Sequence, residues 1–315
     1  MLWIQLCLLQ GVLLWQKLCH VSDRSIMLLI SFFKAFLKLV ASTLGYRELL
    51  ESARLIPASL QKIKSQFGLE EESFTKVVVC PKCHSLYPFT DVANGSIRKC
   101  RSVRWPNHKQ ESRRKPCGKI LTVGGTNNPK KVYAYRHIKQ YLASFLQRPN
   151  FLNQCNEWRK SANSDDYYGD IYDGNHWKIK HKEYLSSPYN LLGMINVDWF
   201  QPFKHSPYSL GAIYMVTLNL PRNVRFKEDN VMLLGVVPGP NEPSLHMNTY
   251  LKPIVDELLL FDCGVWLQDQ SPLGNKYRYR LLGFSCDLPA CRKIGGMVSF
   301  SAKYGKLCIL IHILL

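Results

Sequence analysis

Two sets of residues are equipped for chemistry: four cysteines and two aspartates. Cys80-Pro81-Lys82-Cys83 is followed by Cys100 and then by Cys117-Gly118, with sixteen residues in each intervening gap. A CxxC turn sets two thiolates on one edge of a tetrahedron, and a second arm closes it around an ion. Thiolates suit Zn²⁺, and a structural zinc site takes four ligands with no open position. Pro81 and Gly118 fit the tight turns of such an arrangement. The second arm is not itself a CxxC, so His108, between Cys100 and Cys117, is the alternative to Cys100 as a ligand. His84 adjoins Cys83 and is badly placed to share the same ion. The competing reading is four unconnected cysteines in a loop-rich segment. Cys7, Cys19, Cys155, Cys263 and Cys308 are scattered singly and read as small apolar side chains or free thiols.

Asp198 directly follows the apolar run Leu191–Val197, and Asp287 directly follows Leu281–Cys286. If those runs are neighbouring strands, both carboxylates emerge at one edge of a sheet. Hard cations such as Mg²⁺ need shared carboxylate oxygens, and two-metal phosphoryl chemistry needs them converging from separate elements. Taken singly, an aspartate that ends a strand also serves as a turn or cap residue. Asp256 and Glu257 read as the solvent face of a helix, and Asp170 and Asp173 as part of a linker.

The elements that must carry these residues follow from periodicity. Residues 1–70 read as a helical segment, and 74–125 as a basic module holding the grouped cysteines. Residues 131–160 read as helical, with Tyr133, Ile138, Tyr141, Leu142, Phe145 and Leu146 at three- and four-residue steps. Residues 161–188 are polar and aromatic and read as a linker, so 131–188 forms one helical-plus-linker region. From Asn190 the character changes to short runs rich in Val, Ile, Leu and Tyr: Leu191–Val197, Ala212–Leu220 and Val231–Val237. Tyr250–Leu260 reads as a helix with Leu251, Ile254, Val255, Leu258 and Leu259 on one face, and Tyr279–Cys286 as a further strand. The order strand, strand, strand, helix, strand matches the first part of an RNase H-like fold. That fold places one acid on its first strand and a second just after its fourth. The expected class is α+β: N-terminal helices, a zinc-ribbon-like module, then an incomplete RNase H-like α/β domain over 190–305 and an aberrant apolar tail over 306–315.

Charge points to a partner. Forty-one Lys and Arg against 23 Asp and Glu leave a formal charge of +18, which favours polyanions, nucleic acid first and anionic membrane second. An apolar fraction of 46% excludes a disordered tail. From Lys76 to Cys117 there are ten Lys and Arg against two acidic residues. Arg104, Trp105, Arg113, Arg114 and Lys115 make a basic loop with an aromatic inside the cysteine module, the footprint expected for DNA phosphates. A solvated basic face is the competing reading. At the N-terminus, Met1–Trp15 is apolar but shorter than the ~20 residues of a spanning helix and lacks a signal peptide's positive leader. Ile26–Val40 carries Lys34 and Lys38 behind a Ser22-Asp23 cap. The pair reads as amphipathic helices packed on themselves or a partner, with membrane anchoring as the alternative.

Longer motifs resemble the transposases of CACTA-type (En/Spm-like) DNA transposons, particularly their fungal relatives. They are Val78–Tyr87, Tyr168–Gly174, Asn196–Phe203, Gly239–Ser244, Cys286–Ala290 and Ser301–Gly305. The resemblance covers roughly Gly68 to Gly305. It implies a DDE-type strand transferase that cuts and joins DNA with Mg²⁺ or Mn²⁺, acts in the nucleus and possesses the capacity to self-associate. By motif Asp198 is the first catalytic acid and Asp287 the second. The family's third acid lies on a late helix, whereas no Asp or Glu follows Asp287 here. The expectation is a C-terminally truncated, inactive copy that retains DNA binding, with a membrane-associated basic protein as the alternative.

Overall fold

The computed structural model describes residues 22–57, 59–60, 62–63, 74–160, 168–175, 177, 181–204, 207–243 and 246–296. The apolar run Met1–Trp15, the Ser301–Gly305 motif and the tail 306–315 lie outside the described residues. Contacts divide the chain into two units, residues 1–73 and 74–315.

The first unit contains a helical pair. The Ser22 hydroxyl accepts from the Ser25 N–H at 3.2 Å and caps α1 (Asp23–Leu44). Gly45 ends it in the left-handed region at φ 70°, where a side chain would be strained. After the turn comes α2 (Arg47–Leu55). Ile26 and Ile30, one turn apart on α1, bury against Ile56, Leu60 and Ile63, and Lys34 donates to the Ile56 carbonyl at 2.9 Å. The partner of α1 among the described residues is this following segment; the expected pairing with Met1–Trp15 falls outside them. Leu28, Phe32, Phe36 and Leu39 leave another face apolar and exposed, and Arg24–Leu44 is long and apolar enough to cross a membrane.

The second unit is built on strands β1 (Thr75–Val79), β2 (Leu86–Pro88), β3 (Val132–Tyr135), β4 (Asn190–Phe200), β5 (Leu210–Thr217), β6 (Val231–Val237), β7 (Val265–Leu267) and β8 (Asn275–Phe284). Its helices are α3 (Phe89–Ala93), α4 (Ile138–Leu146), α5 (Phe151–Asn156), α6 (Arg222–Arg225), α7 (Met247–Cys263) and α8 (Leu288–Ile294). The eight strands make one sheet in the order β2-β1-β3-β6-β5-β4-β8-β7. β4 pairs antiparallel with β5 and parallel with β8. Leu191, Ile195 and Val197 of β4 join Tyr141, Phe145, Tyr250, Ile254 and Phe261 in the main core. Leu192 packs with Trp177, Tyr184 and Leu185 on the opposite side. Burial on both faces is why β4 reads as a continuous apolar run instead of alternating.

Several expectations are corrected. The segment expected to be helical from residue 131 begins with strand β3, and Tyr133 is a buried strand residue; the helix starts only at Ile138. Val132–Tyr135 is β-branched and aromatic, and its edges are filled by β1 and β6, so pairing overrides the helical spacing. The last strand spans Asn275–Phe284, starting four residues earlier than Tyr279 and ending before Cys286, and the short β7 precedes it. On α7, Val255 and Leu259 are exposed, while Tyr250, Leu251, Ile254, Leu258 and Phe261 are buried. Glu257 is not on a solvent face: its carboxylate accepts from the Ile138 and Lys139 N–H groups at 2.8 Å each and caps α4. Asp256 is exposed as expected and pairs with Lys252.

Asp170 and Asp173 also have fixed work. Asp173 is buried and accepts from the Gly169 and Asp170 N–H groups. Asp170 grips the guanidinium of buried Arg225 through two bonds, at 2.9 and 2.7 Å. The stretch expected as a linker is tied to the sheet by that pair and by Tyr172, whose hydroxyl donates to the Leu220 carbonyl at 2.5 Å.

Close approaches at several sheet glycines, Gly211 and Gly235 among them, leave no room for a side chain. A Cβ on Gly235 would stand 2.4 Å from the Tyr133 hydroxyl, and one on Gly211 would stand 2.3 Å from the Trp199 ring. Tyr133 cannot yield cheaply, because its hydroxyl donates to the Tyr250 carbonyl at 3.0 Å inside the core. Gly235→Ala is expected to destabilise the chain by about 1–3 kcal/mol through overpacking. Gly283→Ala, with nothing within 4 Å of its Cβ position, should be close to neutral. Urea denaturation midpoints of the two variants check this.

Candidate metal centre and acidic strand ends

The cysteine site is made of two backbone knuckles. After β1 the chain reverses through Cys80–Cys83, with the Cys80 N–H donating to the Ser85 carbonyl and the His84 N–H to the Cys80 carbonyl, both at 3.0 Å. His84 takes φ 59° to lead the chain into β2. The second knuckle joins Cys100 and Cys117: the Cys100 N–H donates to Lys119 and the Gly118 N–H to Cys100. Gly118 sits at φ 67°, the backbone conformation that this turn requires.

These turns bring four sulfurs together. Cys83 and Cys100 Sγ lie 3.4 Å apart, Cys80 and Cys117 Sγ 3.8 Å apart, and all four within 4.8 Å of one another. Four thiolates about 2.3 Å from one tetrahedral ion stand about 3.8 Å from each other, so the donor set and its spacing are compatible with zinc. Cys100 is inside the group. The His108 ring is not: its Nδ1 accepts from the Gln110 N–H at 3.0 Å and its Nε2 faces Arg113 at 3.4 Å. His84 turns away as expected, its Nδ1 2.7 Å from the Tyr250 hydroxyl and its ring stacked on His246.

Tyr87 supports the site in a way the sequence reading missed. Its hydroxyl lies 3.1 Å from Cys100 Sγ and accepts from the Arg101 and Ser102 N–H groups. The available signal was the strand position just after the CxxC turn, which carries the ring back over the second knuckle. Without metal, burial pushes the Cys80 thiol up to about 12 and raises Cys100 as well. Burial also acts on Cys83, but hydrogen bonds from Ser85 and Cys100 outweigh it and bring that thiol down to about 6.

The expected DNA contacts cluster beyond the second knuckle. Arg104 lies over the Trp105 ring, 4.5 Å from its centroid. Arg114 Nε donates to the His108 carbonyl at 2.7 Å, so Arg113 and Arg114 brace the loop that they occupy. Arg104, Arg113, Arg114 and Lys115 are all exposed.

Asp198 lies on β4, and Asp287 follows the end of β8, the parallel strand beside it. The last register pair of β4 and β8 is Ile195 with Phe284, and each aspartate lies three residues further along its chain. A register shift between Gly193 and Met194 passes over Leu282 and sets that match. The pairing continues past the strand: the Ser285 N–H donates to the Ile195 carbonyl at 2.8 Å, the Val197 N–H to Cys286 Sγ at 3.1 Å, and Asn196 Nδ2 to the Ser285 carbonyl. Asp198 lies within β4, which runs on to Phe200, and is exposed. Asp287 caps α8, its carboxylate accepting from the Ala290 N–H at 2.8 Å. Asp170, Asp173, Asp256 and Glu257 are each engaged elsewhere, as described above.

Residues 165–311 match the model of the transposase family tnp2. The matched stretch takes in β4 to β8 with both aspartates, and the four cysteines precede it. No curated protein matches the chain. The family match supports a transposase family for this part of the chain.

Zinc binding is expected at about one ion per chain. At pH 7 the ion must displace protons from Cys80 and Cys100, whose thiols are held above their ordinary values. Apparent affinity should therefore fall steeply as pH falls, by roughly tenfold per unit for each thiol proton displaced, and more steeply below about 6 as Cys83 protonates. Competition with a chromophoric chelator across pH 5.5–8 reads the slope. Cys100→Ser should abolish the site, and His108→Ala should leave it intact.

Proposed function

We propose that the chain is a DDE-class, CACTA-type (En/Spm-like) transposase relative that binds DNA through its zinc-bearing basic module. On this reading Asp198 and Asp287 are the acidic pair that holds Mg²⁺ or Mn²⁺. The observation that carries it is the placement of both aspartates three residues beyond one parallel register pair, inside the stretch matched to the transposase family. The strand order β6-β5-β4-β8, with α7 between β6 and β8, supports an RNase H-like reading of this domain. The expected place of action is the nucleus.

The chemistry of such a site is metal-assisted displacement at phosphorus. Divalent ions held between carboxylates activate the attacking oxygen and stabilise the leaving one. Among the described residues Glu257, Asp173, Asp256 and Asp170 are committed to a helix cap, a turn, a surface ion pair and Arg225; metals held by two carboxylates are poorly fixed, and small misplacements cost orders of magnitude in rate. The chain is therefore proposed to bind DNA and metal without turning over. The exposed apolar face of α1 favours membrane association as a second reading; co-flotation of the intact chain with anionic vesicles would support it.

Two measurements test the main reading. Duplex DNA should bind with an affinity that falls steeply with salt as condensed counterions are released. Arg104→Glu and Lys115→Glu should each weaken binding to all sequences alike and reduce the salt slope by about one; salt-insensitive binding overturns the assignment. In a DNA cleavage assay with Mg²⁺ or Mn²⁺, the chain is expected to cut no faster than its Asp198→Ala and Asp287→Ala variants. Metal-dependent cutting lost in both variants would show an active centre instead.

A further inference from the structure

Between the two strand ends lies a contact that the proposed chemistry does not use directly. Trp199 follows Asp198, and its backbone N–H is bonded to the Asp198 carboxylate at 2.8 Å. Its ring lies where Gly211 has no side chain. Lys293, in the last turn of α8, places its ammonium 5.2 Å from the centroid of that ring. Glu242, in the loop between β6 and α7, forms an ion pair with the same ammonium. That loop is itself fastened to the sheet, because the Ser209 N–H donates to the Pro240 carbonyl at 2.9 Å.

The geometry points to Lys293 as a positioning residue for the acidic pair, held by Glu242 and seated on Trp199. The inference rests on the reading of Asp198 and Asp287 as metal ligands. α8 begins at Asp287, so whatever fixes the helix fixes the direction from which that carboxylate approaches. The cap bond from the Ala290 N–H orients Asp287 relative to its own helix only. Lys293 adds a second tie to the ladder bonds at Ser285 and Cys286, linking the far end of α8 to the residue beside Asp198. The contact is sheltered: the Lys293 side chain is 21% exposed, and Lys293 is the cation over the Trp199 ring. A partly desolvated ammonium over an indole that also meets a carboxylate is favourable on both sides. Lys293 and Glu242 lie 51 residues apart, and the role assigned to them is positional and not catalytic.

Mn²⁺ titration of the full-length, zinc-loaded chain, followed by electron paramagnetic resonance, tests this. Asp198→Asn and Asp287→Asn should each abolish Mn²⁺ binding at the acidic pair; if neither does, the metal-ligand reading itself fails and the positioning role falls with it. If they do, Lys293→Met, which keeps the aliphatic stem but loses the charge, should weaken Mn²⁺ about tenfold. Lys293→Arg, which keeps both the cation over the ring and the ion pair, should stay within about twofold of the parent. Glu242→Gln removes only the ion pair and should weaken binding several-fold, which keeps the test available if Lys293→Met fails to fold. Zinc content and far-ultraviolet circular dichroism should be unchanged in every variant scored. Parent-like Mn²⁺ affinity in Lys293→Met, or in Glu242→Gln where Lys293→Met does not fold, would overturn the proposal while leaving the acidic pair standing.

Discussion

Parallel pairing between β4 and β8 is the constraint on which the arrangement of the second unit depends. Antiparallel neighbours would send Asp198 and Asp287 to opposite ends of the sheet. A parallel pair needs a crossover, and here the chain from β4 passes through β5, β6, α7 and β7 before β8 returns alongside it. α7 lies in that crossover and supplies much of the main core through Tyr250, Ile254 and Phe261. The register shift at Gly193 and Met194 then sets the level at which the two chains leave the sheet. Asn196 and Val197 of β4 extend the ladder past the end of β8 through Ser285 and Cys286, so hydrogen bonds tie the chain leading to Asp287 to β4.

The same sheet runs on into the cysteine module. β3 joins β6 through Ala134 and Tyr135, and β1 carries the chain directly into Cys80. Zinc coordination is therefore expected to stabilise more than a local loop, since Val78 and Val79 on one side and Tyr133 on the other share the strands that meet there. His84 marks the junction: its ring leaves the thiolate group and meets Tyr250 on α7, the residue whose carbonyl also receives Tyr133.

Much of this was legible in the residues. The CxxC spacing and the two later cysteines gave the four-sulfur cluster, because short turns bring thiols together whatever surrounds them. The apolar runs gave β4, β5, β6 and α7, although Asp198, expected at the end of its strand, lies inside β4. What the sequence could not reveal were relations made by distant partners. Glu257 looks like a solvent residue by helical spacing, yet the free N–H groups at the start of α4 draw it inward. Asp170 and Asp173 look like linker residues until Arg225 closes on one of them. Tyr133 keeps helical spacing with its neighbours but is claimed by two strands. Lys293, Glu242 and Trp199 carry no local pattern at all, because their meeting depends on three separate elements arriving at one sheet edge.

β8 has one further consequence, for solubility. β7 covers only Asn275, Lys276 and Tyr277, and no described strand lies beside β8 on that side from Arg278 to Phe284. A strand left open in this way is a template for another molecule's backbone. Arg278 and Arg280 stand on this stretch, both paired with Asp262 at the end of α7. Charge on an uncovered strand is one of the means by which natural sheets resist stacking edge to edge. Replacing the two arginines with uncharged β-formers would thus remove a guard against self-association as well as an ion pair.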